Sequence, residues 1–190
     1  MAKFRYPLQN QLWNAFVRTI REDYEEQLIN SENGMLAAFD RHLRLEIPKA
    51  RRIFIEPRVF DAKDATRRWF PDMVVCNSRE VIAVLEMKYT PRGYPKYERD
   101  VEKLKSVAKL RKRLHVANTR YLGVPIDDRQ YLFSPKTVFV WVGVHRSFPG
   151  CDNSEVPRLV KGNSNFTNSF IQFHGITAAN EKPEMIWALG

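Results

Sequence analysis

Residues 70–89 read Phe70-Pro-Asp-Met-Val-Val-Cys-Asn-Ser-Arg-Glu-Val-Ile-Ala-Val-Leu-Glu-Met-Lys-Tyr89. Met73 to Cys76 is an apolar run, and Asn77-Ser78 is a turn signal. The run Val81 to Leu85 is apolar at every position. This pattern predicts two strands, Met73–Cys76 and Val81–Tyr89, the second central in its sheet and covered on both faces. Asp72 precedes the first strand, and Glu86 and Lys88 interrupt the end of the second. Antiparallel pairing of the two brings Asp72 back to Glu86. Glu86 and Lys88 are two residues apart on a strand and therefore share a face.

Working outward, Leu12, Trp13, Phe16, Val17, Ile20, Tyr24 and Leu28 recur at helical spacing and predict a helix over residues 8–29. Ser31 is placed to cap a second helix, with Glu32 in its first turn and Met35, Leu36, Phe39, Leu43 and Ile47 as its stripe, ended by Pro48. Arg52 to Glu56 predicts a short strand closed by Pro57, and residues 60–68 are polar and predict a loop. A third helix is expected from Pro95 to Leu114, with Pro95 in its first turn and Tyr97, Val101, Leu104, Ala108 and Leu114 on its buried side. Thr137 to Val144 is another fully apolar strand. Phe166, Phe170, Ile171 and Phe173 suggest a short packed element, and Met185-Ile186-Trp187 a terminal edge strand. The resulting fold class is α/β, with a mixed sheet and helices in layers.

The chain has 190 residues, about one domain's worth, long enough to bury a core without disulfides. It divides into a core of about 31–145, an N-terminal helix at 8–29 and an extension at 146–190 that matches no pattern. Only two cysteines occur, Cys76 and Cys151, and the four histidines lack zinc spacing. No apolar run is long enough to span a bilayer. A cytoplasmic location and no membrane partner are therefore expected. Thirty-one Lys and Arg against 22 Asp and Glu give +9, which favours a polyanionic partner. Residues 88–120 hold eleven of these cations and only three acids (Glu98, Asp100 and Glu102). Such a cluster is placed to hold phosphates, whose contacts dominate nucleic-acid affinity. The candidates are Arg92, Lys96, Arg99, Lys103, Lys109 and Lys112. A well-solvated helix is the plainer reading of the same residues.

Two carboxylates and a lysine at the end of a central strand suit one chemistry well. Phosphodiesters hydrolyse very slowly without help. A divalent ion supplies hydroxide near neutral pH and neutralises phosphoryl charge, and Mg2+ or Mn2+ takes oxygen ligands. Asp72 and Glu86 are the candidate ligands, with the backbone carbonyl of Met87 able to complete the shell. Lys88 would activate water or steady the developing charge. The alternative is a buried ion-pair network without catalysis. The chain contains no Walker loop, no G-x-S-x-G elbow and no H-E-x-x-H.

Pro71-Asp72 followed by Glu86-Met87-Lys88 resembles the PD-(D/E)xK nuclease superfamily over roughly residues 31–145. The resemblance implies a restriction-endonuclease-like mixed β-sheet flanked by helices, in the order αβββαβ. It also implies metal-dependent cleavage of nucleic acid, with DNA favoured over RNA. Family members often carry an acid on an upstream helix, and Glu32 in Ser31-Glu32-Asn33-Gly34 matches it as a further ligand or catalytic residue. Tyr97-x-x-Asp100-x-x-Lys103-Leu104 resembles a helix found in bacterial and phage members. A homodimer or a subunit of a larger assembly would fit a double-strand cutter. A catalytically inactive nucleic-acid-binding or protein-interaction module on the same fold is the alternative.

Some acids and aromatics have plainer readings. Glu56 is a competing ligand at the end of its strand. Glu25 and Glu26 read as a solvated face. Trp69 and Phe70 read as core, and Asp100 with Lys103 as a helix-surface charge pair beside a core Tyr97.

Overall fold

The computed structural model describes residues 6–117, 129–147, 159–160, 166 and 169–189. They form a curled mixed sheet flanked by three α-helices, with the element order α1 (Tyr6–Arg18), a π-helical turn (Thr19–Tyr24), α2 (Glu32–Glu46), β1 (Arg52–Ile55), β2 (Val59–Asp61), β3 (Asp64–Trp69), β4 (Met73–Cys76), β5 (Glu80–Thr90), α3 (Glu98–Leu110), a 3-10 turn (Arg111–Arg113), β6 (Leu114–Ala117), β7 (Gln130–Arg146), β8 (Phe170–Thr177) and β9 (Glu184–Leu189). Arg120 and Cys151 lie outside the described residues, and Cys76 is buried as a free thiol.

The two strands of the 70–89 stretch pair antiparallel, Met73 opposite Leu85 and Val75 opposite Ala83. Asn77 makes the turn between them, its side-chain oxygen accepting from the amides of Arg79 (2.8 Å) and Glu80 (2.6 Å). β5 then pairs parallel with β7, and β7 parallel with β8, while β9 closes that side antiparallel to β8. The path along the sheet is β1-β4-β5-β7-β6-β2-β3, with β8 and β9 leaving it at β7. β7 can border both β6 and β8 because it is long and bulged. Leu132 faces β6 and Phe139 onward faces β8. At the bulge the Thr137 hydroxyl donates to the carbonyls of Val81 (2.8 Å) and Ser134 (2.7 Å).

Alternation along β7 divides the interior in two. Val138, Val140, Val142 and Val144 join Leu85, Met87, Phe16, Met35 and Phe39 under α1 and α2. Phe139 and Trp141 join Val84, Val101 and Leu104 under α3. β5 is therefore covered on both faces, as its sequence predicts. Trp13 packs against Phe173 (5.3 Å between ring centres) and Trp187 (5.9 Å), so α1 covers the β8–β9 side. Gly143 is required here, because a Cβ would come 2.1 Å from Trp141 Cη2.

Several expectations are corrected. The first helix does not run to residue 29 but passes at Thr19 into a π turn that buries Asp23. Asp23 there pairs with Arg41 and accepts from His42 Nε2 at 2.6 Å, which ties the turn to α2. Ser31 caps α2 as predicted, accepting from the Gly34 amide at 3.1 Å. Residues 60–68 are not a loop but most of the β2–β3 hairpin, held to the end of α3 by Arg113 on buried Asp61 (3.0 and 2.5 Å). The third helix spans Glu98–Leu110 only. Pro95 precedes it, and Leu114 is buried on β6 instead. The extension contributes β8 and β9, and the sheet is larger than an αβββαβ core. No helix among the described residues is long and apolar enough to cross a membrane.

Candidate functional site

β4 accompanies β5 only as far as Leu85, and β5 continues to Thr90. Beyond Leu85 the amides on that edge of β5 need other acceptors. Two acids supply them. Asp72 Oδ2 accepts from Met87 N at 2.6 Å, and Glu32 Oε2 accepts from Tyr89 N at 3.2 Å. The Tyr89 hydroxyl donates to the Ile29 carbonyl at 2.8 Å, fixing the approach to α2. Capping by Ser31 sets the first turn of α2, and this turn delivers Glu32 to the end of β5.

Glu86 and Lys88 share a face of β5, as their spacing predicts, and that face lies under α3. Glu86 is 2% exposed, and its Oε2 lies 2.5 Å from Lys103 Nζ. Its Oε1 is buried and has no hydrogen-bond partner. Lys103 Nζ also donates to the Phe70 carbonyl at 3.0 Å. Lys88 Nζ lies 3.4 Å from Glu32 Oε2 and 3.8 Å from Asp100 Oδ2, the second an ion-pair distance and not a hydrogen bond. Asp72, Glu86, Asp100, Glu32, Lys88 and Lys103 thus form one network.

The electrostatics show crowded acids. Burial pushes Glu86 up to about 8, with Asp72 adding to the rise and Lys103 opposing it. Burial also raises Asp72 against the Met87 amide and Lys103, with Glu32 and Asp100 contributing to the rise. Asp100 is raised by burial, against Lys88 and Lys103. Burial acts against the Lys88 charge, but Asp100 and Glu32 outweigh it and raise its pKa. The three raised acids report desolvation plus like charge, conditions under which an added cation is favourable.

The donors suit a hard divalent ion: they are carboxylate oxygens, and one of them is orphaned in the interior. Among the described residues no three His, Cys, Asp or Glu side chains already converge as a metal cage. Lys103 stands against Glu86 Oε2, which leaves Oε1 as the oxygen that could join one.

From sequence, Asp100 and Lys103 read as a helix-surface charge pair. The structure turns them inward, because α3 crosses back over β5. The spacing of Tyr97, Asp100 and Lys103 marks one side of that helix and was the available signal. Tyr97 is a partly buried core residue set edge-on to Trp141 at 6.5 Å. Phe70, read as core, is 51% exposed, with the Arg58 guanidinium 5.9 Å from its ring centre. Trp69 is partly buried against the α3-side core. Glu56 is exposed and joins the site only through its amide, which donates to the Asp72 carbonyl at 2.9 Å.

The basic run does not form one track. Arg92, Lys96 and Arg99 are exposed around the loop and first turn leading into α3. Lys103 belongs to the site. Lys109 and Lys112 are exposed towards the other end, Lys109 about 9 Å further along the axis at 1.5 Å per residue. The chain matches no protein-family model, no curated protein and no solved structure at a significant level.

Proposed function

We propose that this chain is a nuclease that hydrolyses phosphodiester bonds in DNA with Mg2+ or Mn2+. Glu86 carries the reading. It is a buried acid with one oxygen on Lys103 and the other without a partner, among acids that raise one another's pKa. Asp72, Glu86 and the Met87 carbonyl would hold the ion. That carbonyl leaves the strand on the same edge as the Met87 amide, which meets Asp72. A bound ion of this kind lowers the pKa of water and neutralises charge on phosphoryl oxygens. Glu32 positions Lys88 and is a further ligand or water-orienting group, and Lys88 meets the developing phosphate charge.

The strand order supports the same reading. α2 is followed by β1, β4 and β5 in antiparallel succession, then by α3 and a parallel β7. With the β2–β3 hairpin taken as an insertion and β8–β9 as an addition, this succession is compatible with the αβββαβ order that the sequence resemblance implies.

The test is cleavage of labelled DNA and RNA oligonucleotides in Mg2+, in Mn2+ and in EDTA. Cleavage of DNA with either metal, abolished by EDTA, is expected. Asp72→Asn and Lys88→Ala should each lower the rate by about 100-fold or more. Variants as active as the parent would overturn the assignment.

A second reading has an observation of its own. Each acid already has an internal partner: Asp72 the Met87 amide, Glu32 the Tyr89 amide, and Glu86 Lys103. A nucleic-acid-binding module without chemistry would look like this. It predicts salt-dependent binding that EDTA leaves unchanged, with no cleavage. A protein partner for the basic face would be shown by binding that DNA does not compete away.

A further inference from the structure

β5, β7 and β8 run parallel, and their carboxyl ends open into a cleft of ≈1020 Å³. Open sheets bind ligands in this position. The strand ends are stitched together there. The Thr177 hydroxyl donates to the Pro91 carbonyl at 2.6 Å, and the Arg146 amide donates to the Gly93 carbonyl at 2.9 Å. These bonds bring Arg92 and Arg146 to the same cleft, both exposed. Neither arginine forms an ion pair with a described carboxylate.

Tyr24 and Tyr89 line the same cleft, edge to face at 6.2 Å, both half-buried. The Tyr89 hydroxyl is held by the Ile29 carbonyl and its ring packs against the core, which fixes its position in the cleft. Glu25, read from sequence as a solvated face, closes the rim by pairing with Lys182 at 2.9 Å. Two of the three non-glycine residues with positive φ among those described, Gln27 and Asn180, also line this cleft.

The cleft adjoins the candidate active site. Tyr89 follows Lys88, and Glu32 Oε2 contacts both the Lys88 ammonium and the Tyr89 amide. Alternation puts Lys88 on one face of β5 and Tyr89 on the other. A strand that crosses the end of β5 therefore passes from the acids to the cleft within one residue.

The volume corresponds to a space about 10 Å across, smaller than the major groove alone of a duplex at about 12 Å. Guanidinium groups recognise phosphate, and aromatic rings stack on unpaired bases. We propose that this cleft binds an unpaired end of a nucleic-acid strand, with phosphates on Arg92 and Arg146 and a base against Tyr24 and Tyr89. The inference rests on the nuclease reading only for what happens at the neighbouring acids.

The test separates the two. Binding is measured by fluorescence anisotropy in EDTA, with a blunt duplex and with the same duplex carrying four-nucleotide 5′ or 3′ overhangs. The parent should bind an overhang of at least one polarity about tenfold more tightly than the blunt form. Arg92→Ala/Arg146→Ala should bind the overhang and blunt duplexes equally. Its salt slope on the overhang should fall by about 1.4, for two single-strand phosphate contacts at about 0.7 each. Both arginines are exposed, so the variant should fold. Equal binding of blunt and overhang duplexes, or a preference the variant retains, would overturn the inference. Preference without cleavage in Mn2+ keeps the cleft and removes the nuclease. Cleavage without preference does the reverse.

Discussion

Glu86 concentrates the tension of this molecule in one side chain. Its ordinary pKa is 4.5 and its folded value is about 8. The folded state therefore holds a proton that the unfolded chain releases, and stability drains away as pH rises from 4.5 to 8. Glu86→Gln should flatten that slope. In EDTA at pH 8 it should stabilise the protein by on the order of 2 kcal/mol, once the lost Lys103 contact is set against the relief. Urea denaturation of parent and variant at pH 5 and pH 8 measures this. A variant less stable than the parent at pH 8 would make Glu86–Lys103 an ordinary structural ion pair. At this scale the sequence was partly legible. Asp72, Glu86 and Lys88 stand out as charges beside or within apolar segments, and Glu32 only through the family resemblance. Lys103 shows only through its spacing from Tyr97 and Asp100, within a run of cations that reads more simply as surface. The return of α3 across β5 is what brings it to Glu86.

Strands and helices were legible in proportion to their burial. β4, β5 and β7 are apolar on both faces and were plain, although β7 starts seven residues before its apolar run. The β2–β3 hairpin was not plain. Thr66, Arg67 and Arg68 are all exposed, and an edge strand with no buried stripe lacks the alternation that marks a strand. The π turn also had no pattern, since it exists to place Asp23 against Arg41 and His42. Between β7 and β8 lies a pair that sequence spacing could not show. His145 Nδ1 donates to the Arg146 carbonyl at 2.7 Å, so its Nε2 accepts from His174 Nδ1 at 2.9 Å. Burial lowers both pKa values, His174 to about 3 with His145 adding to the fall. Depressed histidines stabilise above their unfolded value of 6.5 and lose that contribution as pH falls. The loss should be about 1–2 kcal/mol between pH 6.5 and 5, and His174→Gln should remove most of it. The slope is best measured with Glu86→Gln in place, because Glu86 acts in the opposite direction over that range. On the neighbouring row, Gly143→Ala should cost about 1–3 kcal/mol by driving Trp141 from its seat, seen as a lower urea midpoint.

Across the whole protein, one strand edge carries two roles. Acids cap the edge of β5 that β4 abandons, and the same acids are the proposed metal ligands. An uncapped strand edge is a template for pairing with another chain. Asp72 and Glu32 therefore serve as guards against self-association before they serve any reaction. Asp72→Asn keeps an acceptor oxygen for the Met87 amide, whereas Asp72→Ala removes it. The alanine variant should aggregate on concentration, as light scattering would show, while the asparagine variant stays dispersed. Any chemistry at this edge is thus bound to colloidal behaviour: a chain that discarded its acids would lose its protection against strand addition along with its site.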